Sequence, residues 1–176
     1  MGRIIRDSAE EDLPAIEVIY AHHVRHGFAS FEEVPPSLAE LRRRRGEVLQ
    51  RGLPHLVAVE AGAVIGFSYA STYRPRPAYR YTVENSVYVA DGLGRRGIGR
   101  LLLATLIERC AAGPWRQMVA VIGDSGNLAS IRLHERLGFG VVGTLRAVGF
   151  KHGRWVDSVL MQRALGPGET EPPAIA

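Results

Sequence analysis

Residues 86–103 read SVYVADGLGRRGIGRLLL, and this stretch decides the fold. Ser86 to Val89 is rich in β-favouring side chains, glycines follow at 92, 94, 97 and 99, and Leu101-Leu102-Leu103 opens an apolar helix. A strand therefore runs through a glycine-rich turn into a helix N-terminus. The first N–H groups of a helix have no partner inside it, and the helix dipole makes that end positive. Gly97 and Gly99 let the backbone come close to a ligand, so the turn suits a pyrophosphate, with Arg95, Arg96 and Arg100 adding charge. Two other phosphate loops are excluded. There is no G-x-x-x-x-G-K-[ST], and the glycine spacing does not open a chain-initial βαβ unit as a dinucleotide fingerprint would.

Working outward, residues 82–90 (TVENSVYVA) extend the strand upstream, and residues 97–112 carry the helix. Residues 55–60 and 63–72 form a hairpin across Ala61-Gly62. The segment 74–80, with two prolines, is irregular. Before the hairpin, 3–6 is a strand. A helix capped by Asp7 or Ser8 then buries Leu13, Ile16, Ile19 and Tyr20, and 27–36 is a loop. Ser37 caps a second helix to about Gln50, whose buried side is Leu38, Leu41, Val48 and Leu49. Downstream come a buried strand at 117–122, a helix at 127–137 closed by Gly138, and a β pair at 140–150 and 155–162. The order βααβββαβαββ predicts an α/β fold of the α+β type, a central mixed sheet with helices on both faces.

A length of 176 residues suits one domain, expected over 1–165. Residues 166–176 (GPGETEPPAIA) have no apolar periodicity and read as a flexible tail. The composition, 46% hydrophobic and 23% charged, is that of a globular protein and excludes wholesale disorder. The single cysteine, Cys110, can form no internal disulfide. No apolar run of signal-peptide or membrane-spanning length is present, so the expected compartment is the cytoplasm, with no membrane partner. The net charge of +4 favours an anionic ligand. Arg42 to Arg45 is a basic run on a short helix without a nucleic-acid fold signature, read as a solvated face. His22, His23 and His26 lack a HExxH pattern or a third ligand nearby, so a surface helix end is expected there and no metal.

Val87-Tyr88-Val89 followed by Arg95-Arg96-Gly97-Ile98-Gly99-Arg100 resembles the acyl-CoA-binding motif of the GNAT N-acetyltransferase superfamily. Asn127 to Phe139 (NLASIRLHERLGF) resembles the next helix of that superfamily. Within it, Tyr73-Arg74-Pro75, residues 82–89 and residues 145–155 (LRAVGFKHGRW) are similar to the phosphinothricin and methionine sulfoximine N-acetyltransferases, over about residues 3–163. One departure is local: where the superfamily carries Arg or Gln three residues before the first motif glycine, this chain has Gly94, with Arg95 next.

The resemblance implies transfer of an acetyl group from acetyl-CoA, without a metal, to the α-amino group of a small amino acid such as phosphinothricin, methionine sulfoximine or methionine sulfone. It places the catalytic base at Glu84, for which the plainer alternative is an ion pair with Arg74, Arg80 or Arg100. It gives the cofactor arm to the backbone of Val87, Tyr88 and Val89, with the Val89 N–H as oxyanion donor, and its phosphates to Arg95, Arg96, Gly97, Ile98, Gly99 and Arg100. Asn127 and Ser130 either cap their helix or bond the cofactor arm, and His134 is either a general acid or a core histidine. Tyr73, Arg74 and Arg80, with Phe31 as an apolar wall, face the substrate. Lys151 and Trp155 lie on a late β segment that, in a homodimer, can reach the partner's pocket. Another amine acceptor, such as a polyamine or a protein N-terminus, or an acyl-CoA sensor without turnover, stays open at this point.

Overall fold

A computed structural model describes residues 2–173. Seven strands and four helices alternate as β1 (Ile4–Asp7), α1 (Leu13–His26), α2 (Leu38–Gln50), β2 (His55–Glu60), β3 (Ala63–Thr72), β4 (Thr82–Val89), α3 (Ile98–Ala111), β5 (Gln117–Gly123), α4 (Leu128–Arg136), β6 (Gly140–Lys151) and β7 (Arg154–Ala164). The strands form one sheet in the order β1-β2-β3-β4-β5-β7-β6. Among the described residues, β4 and β5 are the one adjacent pair that runs parallel, and α3 is the crossover between them. The predicted element order and mixed sheet match the structure.

The two faces of the sheet carry separate cores. On one, Leu13, Ile16, Ile19, Tyr20 and Val24 of α1 and Leu41 of α2 pack on Val57, Phe67 and Tyr88. On the other, Leu102, Leu103, Leu106 and Cys110 of α3 pack on Val83, Met118 and Met161, with Ile131, Leu133 and Leu137 of α4 beside them. Alternation along β4 sends Glu84, Ser86 and Tyr88 to the α1/α2 face, and Val83, Asn85, Val87 and Val89 to the α3/α4 face.

Some local expectations are corrected. Neither Asp7 nor Ser8 caps α1. The chain enters through a 3-10 turn at Glu10–Asp12, where the Asp12 carboxylate accepts the Ala9 N–H (2.7 Å) and both Arg6 terminal nitrogens (2.6 and 2.8 Å). The Arg6 guanidinium holds the Asp12 carboxyl below its ordinary range. Leu49 is exposed, because it lies one residue past Val48, which takes the core-facing position of the last turn. Leu101 is exposed in the same way, beside the fully buried Leu102. Ser37 does cap α2, accepting the Glu40 N–H. Arg42 to Arg45 are engaged with neighbours: Arg42 with Glu10, Arg43 with Glu40 and Glu47, Arg44 with Glu32 and Glu40, and Arg45 with Ser8. Beyond β7, Gly168 and Thr170 N–H close turns onto the Leu165 and Pro167 carbonyls, and residues 174–176 of the expected tail lie outside the described residues. Among the described residues, no helix is long and apolar enough to cross a membrane.

Candidate active site

The site begins where the sheet comes apart. Backbone pairing of β4 with β5 covers only Thr82–Glu84 against Gln117–Val119. Beyond it the strands diverge and leave a cleft of about 310 Å³, lined from both walls by Glu84 to Tyr88 and Ala120 to Gly123, and closed by Tyr20, Phe31, Tyr69, Asn127, Ser130, His134 and Ser158. On the β3 side β4 remains paired, and the Ala90 N–H donates to Ile65 O. Antiparallel alternation then turns the backbone groups of Tyr88 toward β3 and those of Val87 and Val89 toward the cleft. Apart from Val89 O, these are groups without a neighbouring strand, of the kind that a β-like ligand arm can meet.

Tyr88 itself is core. Its ring is stacked on Phe67 at 5.2 Å and meets Tyr20 edge-on at 4.9 Å. Val89 O is occupied by His23, whose Nε2 lies 2.8 Å away. A carbonyl only accepts, so His23 carries its proton on Nε2. The expected surface helix end thus applies to His22 and His26 but not to His23, which is half-buried and whose pKa burial lowers.

At the open end, Gly97 (φ 78°) turns the chain into α3, and Leu101 N–H donates the first helical bond, to Gly97 O. The N–H groups of Ile98, Gly99 and Arg100 are therefore the unpaired donors of the helix end. The Ile98 side chain is buried in the core, so only its N–H faces outward. The loop differs from expectation in one respect. Arg96 turns away, donating to Glu60 (2.8 Å) while its carbonyl accepts from Arg3. Arg95 adopts the left-handed conformation (φ 62°). Arg95 and Arg100 are exposed and make no ion pair among the described residues.

Glu84 and His134 reach the cleft from opposite faces of β4. Burial pushes the Glu84 carboxyl above its ordinary range, opposed by the positive charge of Arg74. His134 is 4% exposed, its ring edge-on to Phe139 at 5.0 Å. Its Nδ1 is 2.8 Å from Ser130 O and its Nε2 3.0 Å from Asn85 Oδ1. Burial depresses its pKa, and the Ser130 carbonyl partly restores it. Asn127 caps α4, its Oδ1 accepting the Ser130 N–H (3.2 Å).

Phe31 belongs to the loop between α1 and α2, which closes the cleft. Gly123 and Gly149 make room for this loop: a Cβ at 123 would collide with Phe28 O, and one at 149 with the Phe31 ring. Lys151 departs from its expected place. It is 2% exposed and donates to Gly27 O (2.9 Å) and Ser30 O (2.6 Å), tying that loop to β6. Trp155 is 64% exposed on β7. Arg74 and Arg80 line a neighbouring cavity of about 190 Å³ with Arg51, Arg76 and Trp115, rather than the cleft wall. Arg74 lies over the Tyr73 ring (5.1 Å) and Arg80 over the Tyr81 ring (4.7 Å). None of the four arginines makes an ion pair among the described residues. Sequence reasoning missed Asn85, His23, Tyr20 and Tyr69. An Asn inside a β-rich run was the one available signal, since Asn is disfavoured in strands.

The family defined by the acetyltransferase (GNAT) domain matches residues 5–160. The chain is 57% identical to a phosphinothricin N-acetyltransferase of Alcaligenes faecalis, over 97% of this chain and 85% of the other. It is 43% identical to an L-methionine sulfoximine/L-methionine sulfone acetyltransferase of Pseudomonas aeruginosa, over 98% and 100% of the two chains. The crystal structure of a GNAT superfamily phosphinothricin acetyltransferase from Sinorhizobium meliloti, in complex with acetyl-CoA, superposes with a TM-score of 0.95 at 45% identity, covering 99% of this chain and 94% of that one.

Proposed function

The chain belongs to the GNAT acetyltransferase family, and from that premise we propose that it moves the acetyl group of acetyl-CoA onto the α-amino group of a small amino acid with an anionic or oxygen-rich tip. Phosphinothricin, methionine sulfoximine and methionine sulfone are the acceptors to which the relatives' names point. One observation carries the reading: a carboxylate with raised proton affinity, Glu84, opens into the same cleft as the unpaired backbone of β4.

The residues fit acetyl-CoA. The N–H groups at the start of α3, with Arg95 and Arg100, suit its phosphates, and Val87 and Val89 offer backbone groups to its arm. Asn127 and Ser130 form the opposite wall, where Asn127 keeps its amide nitrogen available while its oxygen caps α4. Glu84 takes a proton from the substrate ammonium, directly or through a water. Its raised proton affinity brings it closer to that task than a surface carboxylate. The amine then attacks the thioester, and the developing oxyanion meets the Val89 N–H. His134 returns a proton to the departing sulfur. Arg74 and Arg80, with Tyr73 beside them, hold the anionic end of the amino acid, a role supported by the charge of Arg74 reaching Glu84. Phe31 walls the acceptor, and Lys151 acts on the pocket by holding the loop that carries Phe31.

The catalytic unit is residues 1–165, and the tail is dispensable to it. A homodimer is part of the proposal. β6 is an edge strand with Val141, Val142, Leu145, Val148 and Phe150 exposed, and Trp155 beside them, an apolar edge that a second copy would cover. Cys110, fully buried and with no disulfide partner, suits a reducing cytoplasm.

The test is free thiol release from acetyl-CoA with methionine sulfoximine, methionine sulfone, phosphinothricin and spermidine. Turnover with the first three, strongly reduced in Glu84→Ala, supports the proposal. Turnover with spermidine alone overturns the anionic acceptor.

A further inference from the structure

Asn85 is the first residue of β4 beyond its backbone pairing with β5, and it is 7% exposed. Its Nδ2 donates to Val119 O at 3.1 Å. A backbone carbonyl only accepts, so the amide nitrogen must face it, and Oδ1 must face the other way, toward His134 Nε2. Oδ1 also only accepts, so this contact is a hydrogen bond when Nε2 carries the hydrogen. The second ring nitrogen, Nδ1, faces another pure acceptor, Ser130 O, at 2.8 Å, with Ser130 Oγ at 3.5 Å. A protonated ring satisfies both contacts. A neutral ring that keeps Nε2–H has the Ser130 hydroxyl as the donor within reach of Nδ1.

We propose that Asn85 is a positioning residue for His134: it keeps a proton on Nε2 in every state and so makes Nδ1 the nitrogen that gives and regains a proton, with the Ser130 hydroxyl leading to the cleft. The proposal rests on the reading of His134 as the proton donor of acetyl transfer. In the step itself, the amine nitrogen bonds the acetyl carbon, and the C–S bond breaks with its electron pair going to sulfur. Sulfur takes the Ser130 Oγ proton, Oγ is refilled from His134 Nδ1, and the ring is left neutral with Nε2–H intact. The nitrogen of the acceptor loses two protons in all, one to Glu84 before attack and one as the intermediate collapses. One of these restores the ring through the cleft, and the other leaves to solvent.

Without the amide oxygen, a neutral ring gains more from the other tautomer, Nδ1–H donating to Ser130 O, with Nε2 bare. That form has no reason to pick up a second proton. The surroundings supply no substitute. Phe139 meets the ring edge-on, Ser158 enters from β7, Glu84 lines the same cleft from β4, and Glu135 and Arg136 of α4 are exposed. Burial works against the protonated ring, and the Ser130 carbonyl partly offsets it.

The test is nitrogen NMR of the histidine rings in the full chain, with kinetics of Asn85→Leu, Asn85→Asp, His134→Gln and the Asn85→Leu/His134→Gln pair. The wild type is expected to show the Nε2–H tautomer at His134. Asn85→Leu should switch it to Nδ1–H and lower kcat by about tenfold or more, the usual range for lost acid–base catalysis being 10²–10⁴. The alkaline fall of kcat should begin at lower pH, because less of the ring is protonated. Asn85→Asp keeps the acceptor and should retain the tautomer, with that fall moved to higher pH. In the His134→Gln background, Asn85→Leu should add little further loss. A wild type with the Nδ1–H tautomer, or an Asn85→Leu variant that keeps Nε2–H, overturns the proposal. A His134→Gln variant with unchanged kcat overturns the proton-donor reading instead, and the tautomer measurement still judges Asn85.

Discussion

β5 has two seams, and they behave differently. Against β7 it pairs in unbroken register from Gln117–Ala164 to Gly123–Ser158. Against β4 it pairs for three residues and stops. The closed seam is flanked by Met118, Ala120, Val159 and Met161, all buried. The open seam is flanked by Glu84, Asn85, Ser86 and His134, polar groups in positions where apolar ones would pack better. The difference teaches where stability and chemistry are divided in this fold: one seam holds the sheet together, and the other is held apart by side chains that take over from the missing backbone bonds.

The largest expected effect is at the open seam. Glu84→Gln should lower kcat by about 10²–10⁴-fold, the usual range for loss of an acid–base group. It should also leave the protein as stable as before or more so. Burial raises the folded-state pKa of Glu84, so this group contributes stability below its unfolded pKa and loses it as pH rises through the folded one. Where the carboxylate is ionised it weighs against folding, and the neutral amide does not. Paired measurements of kcat and Tm check both signs. A large fall in Tm would show that Glu84 is structural and blur the contrast between the seams.

The closed seam should answer in the opposite sense. Met161→Ala removes a side chain with no exposure, in the middle of the β5/β7 pairing, and should cost about 2–5 kcal/mol of stability. Well below the lowered Tm, kcat should stay near wild type, since Met161 does not line the cleft. Urea unfolding together with thiol release separates the two outcomes.

How much of this could be read from the sequence follows the same division. The closed parts of the sheet announce themselves locally. The alternation at 55–60 and 63–72 and the glycine turn into α3 fixed those elements to within a residue or two. The open seam is made by contacts across the chain. Asn85 meets Val119 and His134 at separations of 34 and 49 residues, and His23 meets Val89 at 66, so no short window of sequence contains any of the three pairs. Arg96 stands in the loop as expected but is drawn off by Glu60, 36 residues away. Lys151 is drawn inward by two carbonyls, which no side-chain pattern records.

Lys151 gives a prediction of intermediate size. Its ammonium bridges the loop over the cleft to the end of β6, and Lys151→Met would leave the Gly27 and Ser30 carbonyls without this donor. A cost of about 1–3 kcal/mol is expected. Local opening should be concentrated in residues 27–34, visible as faster amide hydrogen exchange there than in β5 or β7. The KM for the acceptor should rise more than the KM for acetyl-CoA, because Phe31 rides on that loop. Equal protection of the loop in the variant would mean that Gly123, Gly149 and the Phe31 contact suffice to hold it.

The smallest effect sharpens the comparison most, because it concerns a residue at the margin of the open seam. Arg74 lines the neighbouring arginine-rich cavity, yet its charge favours ionised Glu84. Replacing it with Gln removes that charge, so the proton affinity of Glu84 rises further. The base must be ionised to act, so the acid limb of kcat/KM should move to higher pH, and activity on that limb should fall. If Arg74 also grips the anionic end of the acceptor, the KM for methionine sulfoximine should rise about tenfold, roughly 1.4 kcal/mol, with the KM for acetyl-CoA unchanged. A shifted limb with both KM values unchanged would confine Arg74 to its field on Glu84 and place the acceptor wholly within the split between β4 and β5. An unshifted limb with a raised acceptor KM would make the arginine-rich cavity an extension of the cleft, so that the chemistry of this fold would begin at the paired base of β4 and not beyond it.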